Sequence, residues 1–254
     1  MLTDWRQYET DSFIILPGVE VQVVDDQRGV CYHVVGIHDR SINPEFHHLY
    51  DPGLSTCGGQ DSAQAVIDRM RDAGLYPVLC HPVWSRTELQ HFESLRRYFA
   101  FEVYNHGCHV ECNTGHAAIY WDSLLRRGHR IWGVAVDDSH QRIEDFCGGW
   151  VMVKAERLEV CDIVRSLVSG RFYSSSGPHI HDYGMETGTV YIECSPVREI
   201  HFVTYEVRGS SIVCGQGELI TRASHKLTGK EKYVRVECTD VYGKTAWTNP
   251  ILLS

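Results

Sequence analysis

The sequence predicts an α/β fold followed by a smaller β-rich module, and three observations carry that expectation. Apolar strand candidates alternate with amphipathic helix candidates as far as about Ser176. Glycines stand where those helices should stop, at Gly74, Gly128 and Gly170. Beyond Ser174-Ser175-Ser176-Gly177-Pro178 the helical pattern ends, and short strand candidates separated by turns take over. Alternating strands and helices point to parallel strands joined by helical crossovers, and a glycine just past a periodic segment supplies the left-handed residue that closes a helix.

Taken in order, the strand candidates of the first part are Phe13–Leu16, Tyr32–Ile37, Tyr76–Cys80, Phe99–Tyr104, Ile131–Val136 and Trp150–Val153. The helix candidates are Ser62–Ala73, Thr87–Tyr98, Gly115–Arg127 and Leu158–Ser169. The long segment between Ile42 and Asp61, with Phe46-His47-His48 and Gly58-Gly59-Gln60, has the character of a lid or a solvated loop. In the second part, Thr189–Cys194, Glu199–Val207, Ser211–Cys214 and Tyr233–Cys238 read as strands. The expected division is residues 1–178 and 179–254.

A net charge of −9 argues against a nucleic-acid backbone as partner, since phosphate contacts need a basic surface. There is no run of about 18 apolar residues, and Met1-Leu2-Thr3-Asp4-Trp5-Arg6 has no apolar stretch behind a basic start. The expectation is a cytoplasmic protein without a membrane partner. The ten cysteines contain no C-x-x-C pair and many lie in apolar runs, which suits reduced core thiols.

Polar residues at strand ends carry the chemistry. Gly133-Val134-Ala135-Val136 runs into Asp137-Asp138-Ser139-His140; on extended chain Asp138 and His140 project to one side as a two-toothed metal clamp. Glu20 follows a strand, His38 ends another with His33 near its start, and His81 and Asn105 end two more. Such a series, at the C-terminal ends of parallel strands, is where α/β active sites assemble. Oxygen and imidazole donors suit zinc, manganese or iron, which activate water for hydrolysis. Asn105 is a candidate donor to substrate, and Arg6 and Arg40 are candidates for pairing with a substrate anion. The ligand-rich stretch from Asn105 to His116 matches no common zinc spacing and reads as a loop after a strand. His179 and His181 sit in the linker between the two parts.

Pro17-Gly18-Val19-Glu20, Gly36-Ile37-His38, Cys80-His81-Pro82, Glu102-Val103-Tyr104-Asn105 and Asp137-Asp138-Ser139-His140 together resemble the PHP (polymerase and histidinol phosphatase) family. The carbaryl-hydrolase-like group is the branch most resembled, with Trp121-Asp122 and Ala246-Trp247-Thr248-Asn249-Pro250 adding to the likeness. The resemblance implies a distorted (β/α)7 barrel with one to three divalent metal ions (zinc, manganese or iron) at its mouth, followed by a small all-β module. It implies a metal-dependent hydrolase, foremost a phosphoesterase, acting on a small phosphorylated or ester substrate. Glu20, His81, Asp138 and His140 map onto metal ligands; Asp138 and His140 would also manage the proton. His38 matches the ligand of the phosphatase branch and His33 a histidine of the hydrolase-like branch; the strand-end position favours His38.

The family's opening H-x-H strand is absent, and Trp5 follows Thr3-Asp4 where the family has histidine. A barrel lacking that strand has an open edge, which suggests a homo-oligomer. It also leaves an alternative: a truncated or degenerate protein acting as a non-catalytic metal-binding module.

Overall fold

The computed structural model describes residues 5–25, 29–42, 61–141 and 143–253. The long segment between Ile42 and Asp61, with its expected lid or loop, therefore lies outside the described residues. The chain begins with a short 3-10 turn, Trp5–Tyr8. Phe13–Leu16, expected as a strand, forms only an isolated bridge from Phe13 to Thr10.

The first sheet has five strands in the order β1 (Gly18–Asp25), β2 (Val30–His38), β3 (Leu75–Leu79), β4 (Ala100–Asn105) and β5 (Trp132–Val136). Strands β1 and β2 form an antiparallel hairpin, β2 pairs antiparallel with β3, and only β3–β4–β5 run parallel. Every residue of β4 is buried, as expected for a central strand covered on both faces. The helices α1 (Asp61–Asp72), α2 (Leu89–Phe92), α3 (His106–Cys112) and α4 (Ala118–Arg126) lie between these strands in sequence. The helix expected over Thr87–Tyr98 shrinks to the single turn of α2, flanked by left-handed residues at Arg86 (φ 57°) and Arg97 (φ 69°). The stretch after Asn105, expected as a loop, folds instead as α3.

The second sheet has the order β11 (Ser210–Val213), β10 (Glu199–Thr204), β13 (Tyr233–Thr239), β14 (Thr245–Thr248), β7 (Phe172–Ser175) and β6 (Trp150–Val153), with β15 (Ile251–Leu252) on β13. It crosses the expected 178/179 boundary, because β7 pairs with β14. Helix α5 (Val160–Val168) joins β6 to β7, which are antiparallel. The third sheet is β12 (Ile220–Lys226), β9 (Thr189–Val197) and β8 (Ile180–Glu186).

The expected (β/α)7 barrel is therefore corrected: the described residues build three sheets and no closed barrel, with strand outweighing helix. A parallel barrel needs a crossover before each successive strand. Here a hairpin turn through Gly29 (φ 64°) reverses β1 into β2, and β6 and β7 reverse again.

The first core fills one side of the five-stranded sheet with Trp121, Phe92, Phe101, Tyr104 and Ile67, and takes Tyr233 and Trp247 from the C-terminal part. A small core of Val78, Ala100, Val134, Leu167 and Phe172 covers the other side. The third, including Ile192, Ile200, Phe202 and Val236, draws on the second and third sheets. Side chains bridge the first two sheets where no strand ladder does. Ser174 Oγ accepts from Ala135 N (3.1 Å) and donates to Gly133 O (2.7 Å). Asn249 Oδ1 accepts from Gly133 N, and its amide donates to Gly170 O and Phe172 O. Among the described residues, no helix is long and apolar enough to cross a membrane.

Candidate metal centre

Strand register decides which histidine joins Glu20. Along β1–β2, Glu20 lies opposite Val35 and Gln22 opposite His33, so Glu20 and His33 are diagonal neighbours on one face. His38 lies five residues from His33 and so points to the opposite face, fully buried. The structure sets His33, and not the favoured His38, beside Glu20, because the period-2 alternation of β2 and not strand-end position decides which face a side chain takes. His33 Nδ1 lies 2.7 Å from Glu20 Oε1.

His81 arrives from the end of β3. Its backbone turns out of the strand at φ 20°, and its amide donates to Glu102 Oε2 (2.8 Å). Ser85 Oγ holds Nδ1 at 3.1 Å, which leaves Nε2 facing Glu20 Oε1 at 3.6 Å and Asp138 Oδ2 at 3.8 Å. Glu20, His33 and His81 each offer a ligand atom, all within 4.8 Å of one another, and the group can hold a metal ion. The donors fit that role. Two imidazoles and a carboxylate are a known metal-binding set, and His33 Nε2 is buried with no hydrogen-bond partner. The hydroxyl behind His81 is the outer support that fixes which ring nitrogen a ligand presents.

Electrostatics follow from this packing. Hydrogen bonds from His33 and then His81 outweigh burial and hold the Glu20 carboxyl down at about 2. For His81, burial favours the neutral ring, but the Glu20 contact and the charges of Glu102 and Asp138 together raise its pKa. Burial raises Glu102, against the opposing pull of His81 and Asn105.

Asp138 and His140 sit differently from expectation. Asp138 takes a left-handed backbone (φ 50°), so Asp138-Ser139-His140 is not extended and its side chains do not form a two-toothed clamp. Asp138 turns inward, where Asn105 Nδ2 donates to its Oδ2 at 3.1 Å. His140 is largely exposed; its Nδ1 lies 2.9 Å from the Asp138 carbonyl oxygen and 3.8 Å from Asp138 Oδ1. Asn105 is not a free donor to substrate. Its amide also donates to Glu102 Oε2 (3.0 Å), and its Oδ1 caps α3 through Cys108 N (2.8 Å). Arg40 is engaged by Glu9 (3.1 Å) and Ile15 O, while Arg6 lies exposed in the N-terminal turn; neither lines the cavity beside the cluster. His179 and His181 are likewise outside it.

That cavity has a volume of about 400 Å³ and is walled by Glu20, Gln22, His33, His81, Trp84, Gly107, Cys108, Glu111, Asp138, His140, Ile143 and Asp145. Its outer loop is stapled at the base. Asp137 accepts from three successive amides, Cys147 N (2.7 Å), Gly148 N (2.8 Å) and Gly149 N (2.8 Å). The loop backbone comes so close that a Cβ on Gly149 would meet Val136 O at 2.3 Å. Asp145 Oδ1 and Oδ2 accept from Ser139 Oγ and His140 N across the same loop.

Glu102, Ser85, Trp84 and Glu111 were missed by sequence reasoning. A carboxylate inside the apolar run Ala100-Phe101-Glu102-Val103 was a usable signal, since a buried charge demands partners. No protein-family model, curated protein or solved structure matches the chain.

Proposed function

We propose that this protein is a metal-dependent hydrolase, foremost a phosphoesterase, working at the Glu20–His33–His81 cluster. The observation that carries the reading is the convergence of those three ligands at one wall of a cavity of about 400 Å³, a size typical of small-molecule sites (~300–1,000 Å³). Zinc, manganese or iron suits the donors, and a cation bound there would acidify water and draw charge from a substrate oxygen. Ser85 and Glu102 orient His81, through its ring and its amide respectively. Asn105 holds Asp138 beside the cluster, within 3.8 Å of His81 Nε2, where its carboxylate can accept a proton from attacking water. His140, exposed at the cavity rim, returns a proton to the leaving group.

The test is metal analysis of the full chain, followed by turnover of phosphate monoesters, diesters and carboxyl esters with zinc, manganese or iron. At least one metal equivalent and metal-dependent hydrolysis, both lost in His33→Ala, are expected. Bound metal with no turnover on any ester class favours the non-catalytic metal-binding module instead.

A further inference from the structure

Trp84 and Glu111 form a corner of the cavity that the hydrolytic reading does not use. The indole ring stands beside the ligand histidines, 5.1 Å from the His81 ring and 5.7 Å from the His33 ring between centroids. Its Nε1–H donates to Glu111 Oε2 at 3.3 Å, tying the segment after β3 to helix α3 and fixing the ring plane. Glu111 is exposed, and Trp84 is its hydrogen-bonding side-chain partner among the described residues. Another carboxylate of the wall, Asp145, is buried and already engaged by Ser139 and His140. An aromatic face next to a carboxylate attracts an ammonium group: the ring quadrupole and the formal charge act in the same direction.

We infer that the Trp84–Glu111 corner binds an ammonium group, and that the ester handled at the neighbouring cluster carries a cationic, choline-like head. The second half of that statement rests on the hydrolase reading; the ammonium site does not. The cavity has room for both parts: one water takes about 30 Å³, against about 400 Å³ here. The closeness of Trp84 to His81 calls for a short linker between the ammonium and the ester.

Two measurements on the full, metal-loaded chain separate the claims. Calorimetry compares choline with 3,3-dimethyl-1-butanol, its uncharged isostere. Choline is expected to saturate one site and the isostere to bind more weakly. Trp84→Leu and Glu111→Gln should each weaken choline by about 2- to 30-fold while bound metal is unchanged. Absence of choline binding, equal binding of the isostere, or indifference to both substitutions overturns the ammonium site. Turnover of choline phosphate and 3,3-dimethylbutyl phosphate is then compared, with a higher kcat/KM expected for the cationic ester. Equal turnover without choline binding removes the ammonium site and keeps the hydrolase. Choline binding, with neither these two esters nor any ester of the wider panel turned over, does the reverse.

Discussion

Glu20 and Glu231 are two carboxylates at opposite ends of the chain, each held at about 2, and the partners that do it are of different kinds. Glu20 is held by the imidazoles of His33 and His81, at a cavity wall. At Glu231 burial pushes the other way and is overcome by donors of its own loop: the amides of Thr228, Gly229 and Lys230 and the Thr228 hydroxyl. One carboxylate closes a turn between β12 and β13. The other joins two imidazoles, bonding to His33 at 2.7 Å, in a group whose ligand atoms lie close enough to share a metal ion. A shifted pKa therefore does not mark a site by itself; the chemistry of the partners does.

The sharpest way to break this contrast is to remove a ligand. His81→Ala should lower metal content and ester turnover by at least about 100-fold, since outer-shell losses alone cost about 10- to 100-fold. Metal analysis with kinetics checks it, and retained metal would place the centre elsewhere.

Glu231→Gln should destabilise the fold by about 1–3 kcal/mol while bound metal is unchanged. The sign follows from the depressed value. The stabilisation is present above the ordinary carboxylate value of 4.5 and is lost as pH falls towards about 2. Urea midpoints of wild type and variant should therefore converge in acid. A gap that persists at pH 2 refutes the loop account.

A finer probe is Ser85→Ala. With Nδ1 of His81 released, metal affinity should fall about 10-fold, read by competition with a chelator, while urea midpoints change little. The smallest effect is expected from Arg40→Ala. Its Glu9 pair is partly exposed, and such pairs contribute about 0–1 kcal/mol. Turnover should change less than about twofold, and a large rise in KM would return Arg40 to a substrate-binding role.

The sequence made much of the strand content legible and little of its arrangement. Apolar runs marked β2, β4, β5 and β6 to within a residue or two. Strand β1 is masked by its polar residues: Val19, Val21 and Val23 alternate with Glu20 and Gln22, so Glu20 reads as the residue after a strand and not as one inside it. With β1 hidden, the antiparallel hairpin reads as part of a parallel series, which is what a barrel requires. Glu20, His81 and Asp138 stood out as polar endings on apolar segments. The choice between His33 and His38 needed the pairing of β1 with β2, which is a long-range fact. Glu102 and Asn105 were visible as polar residues in or at the end of a buried strand, but their shared hold on His81 and Asp138 depends on how the strand ends meet.

Asp137 gives the cavity's outer loop a property that bears on how such a protein can change. With its carboxylate on three consecutive amides, the entry and exit of that loop are clamped together independently of what lies between them. The strands need not register a substitution at Ile143. The rim can thus vary as an interchangeable part, altering which molecules are admitted, while Glu20, His33 and His81 stay anchored in the sheet and its adjoining turn.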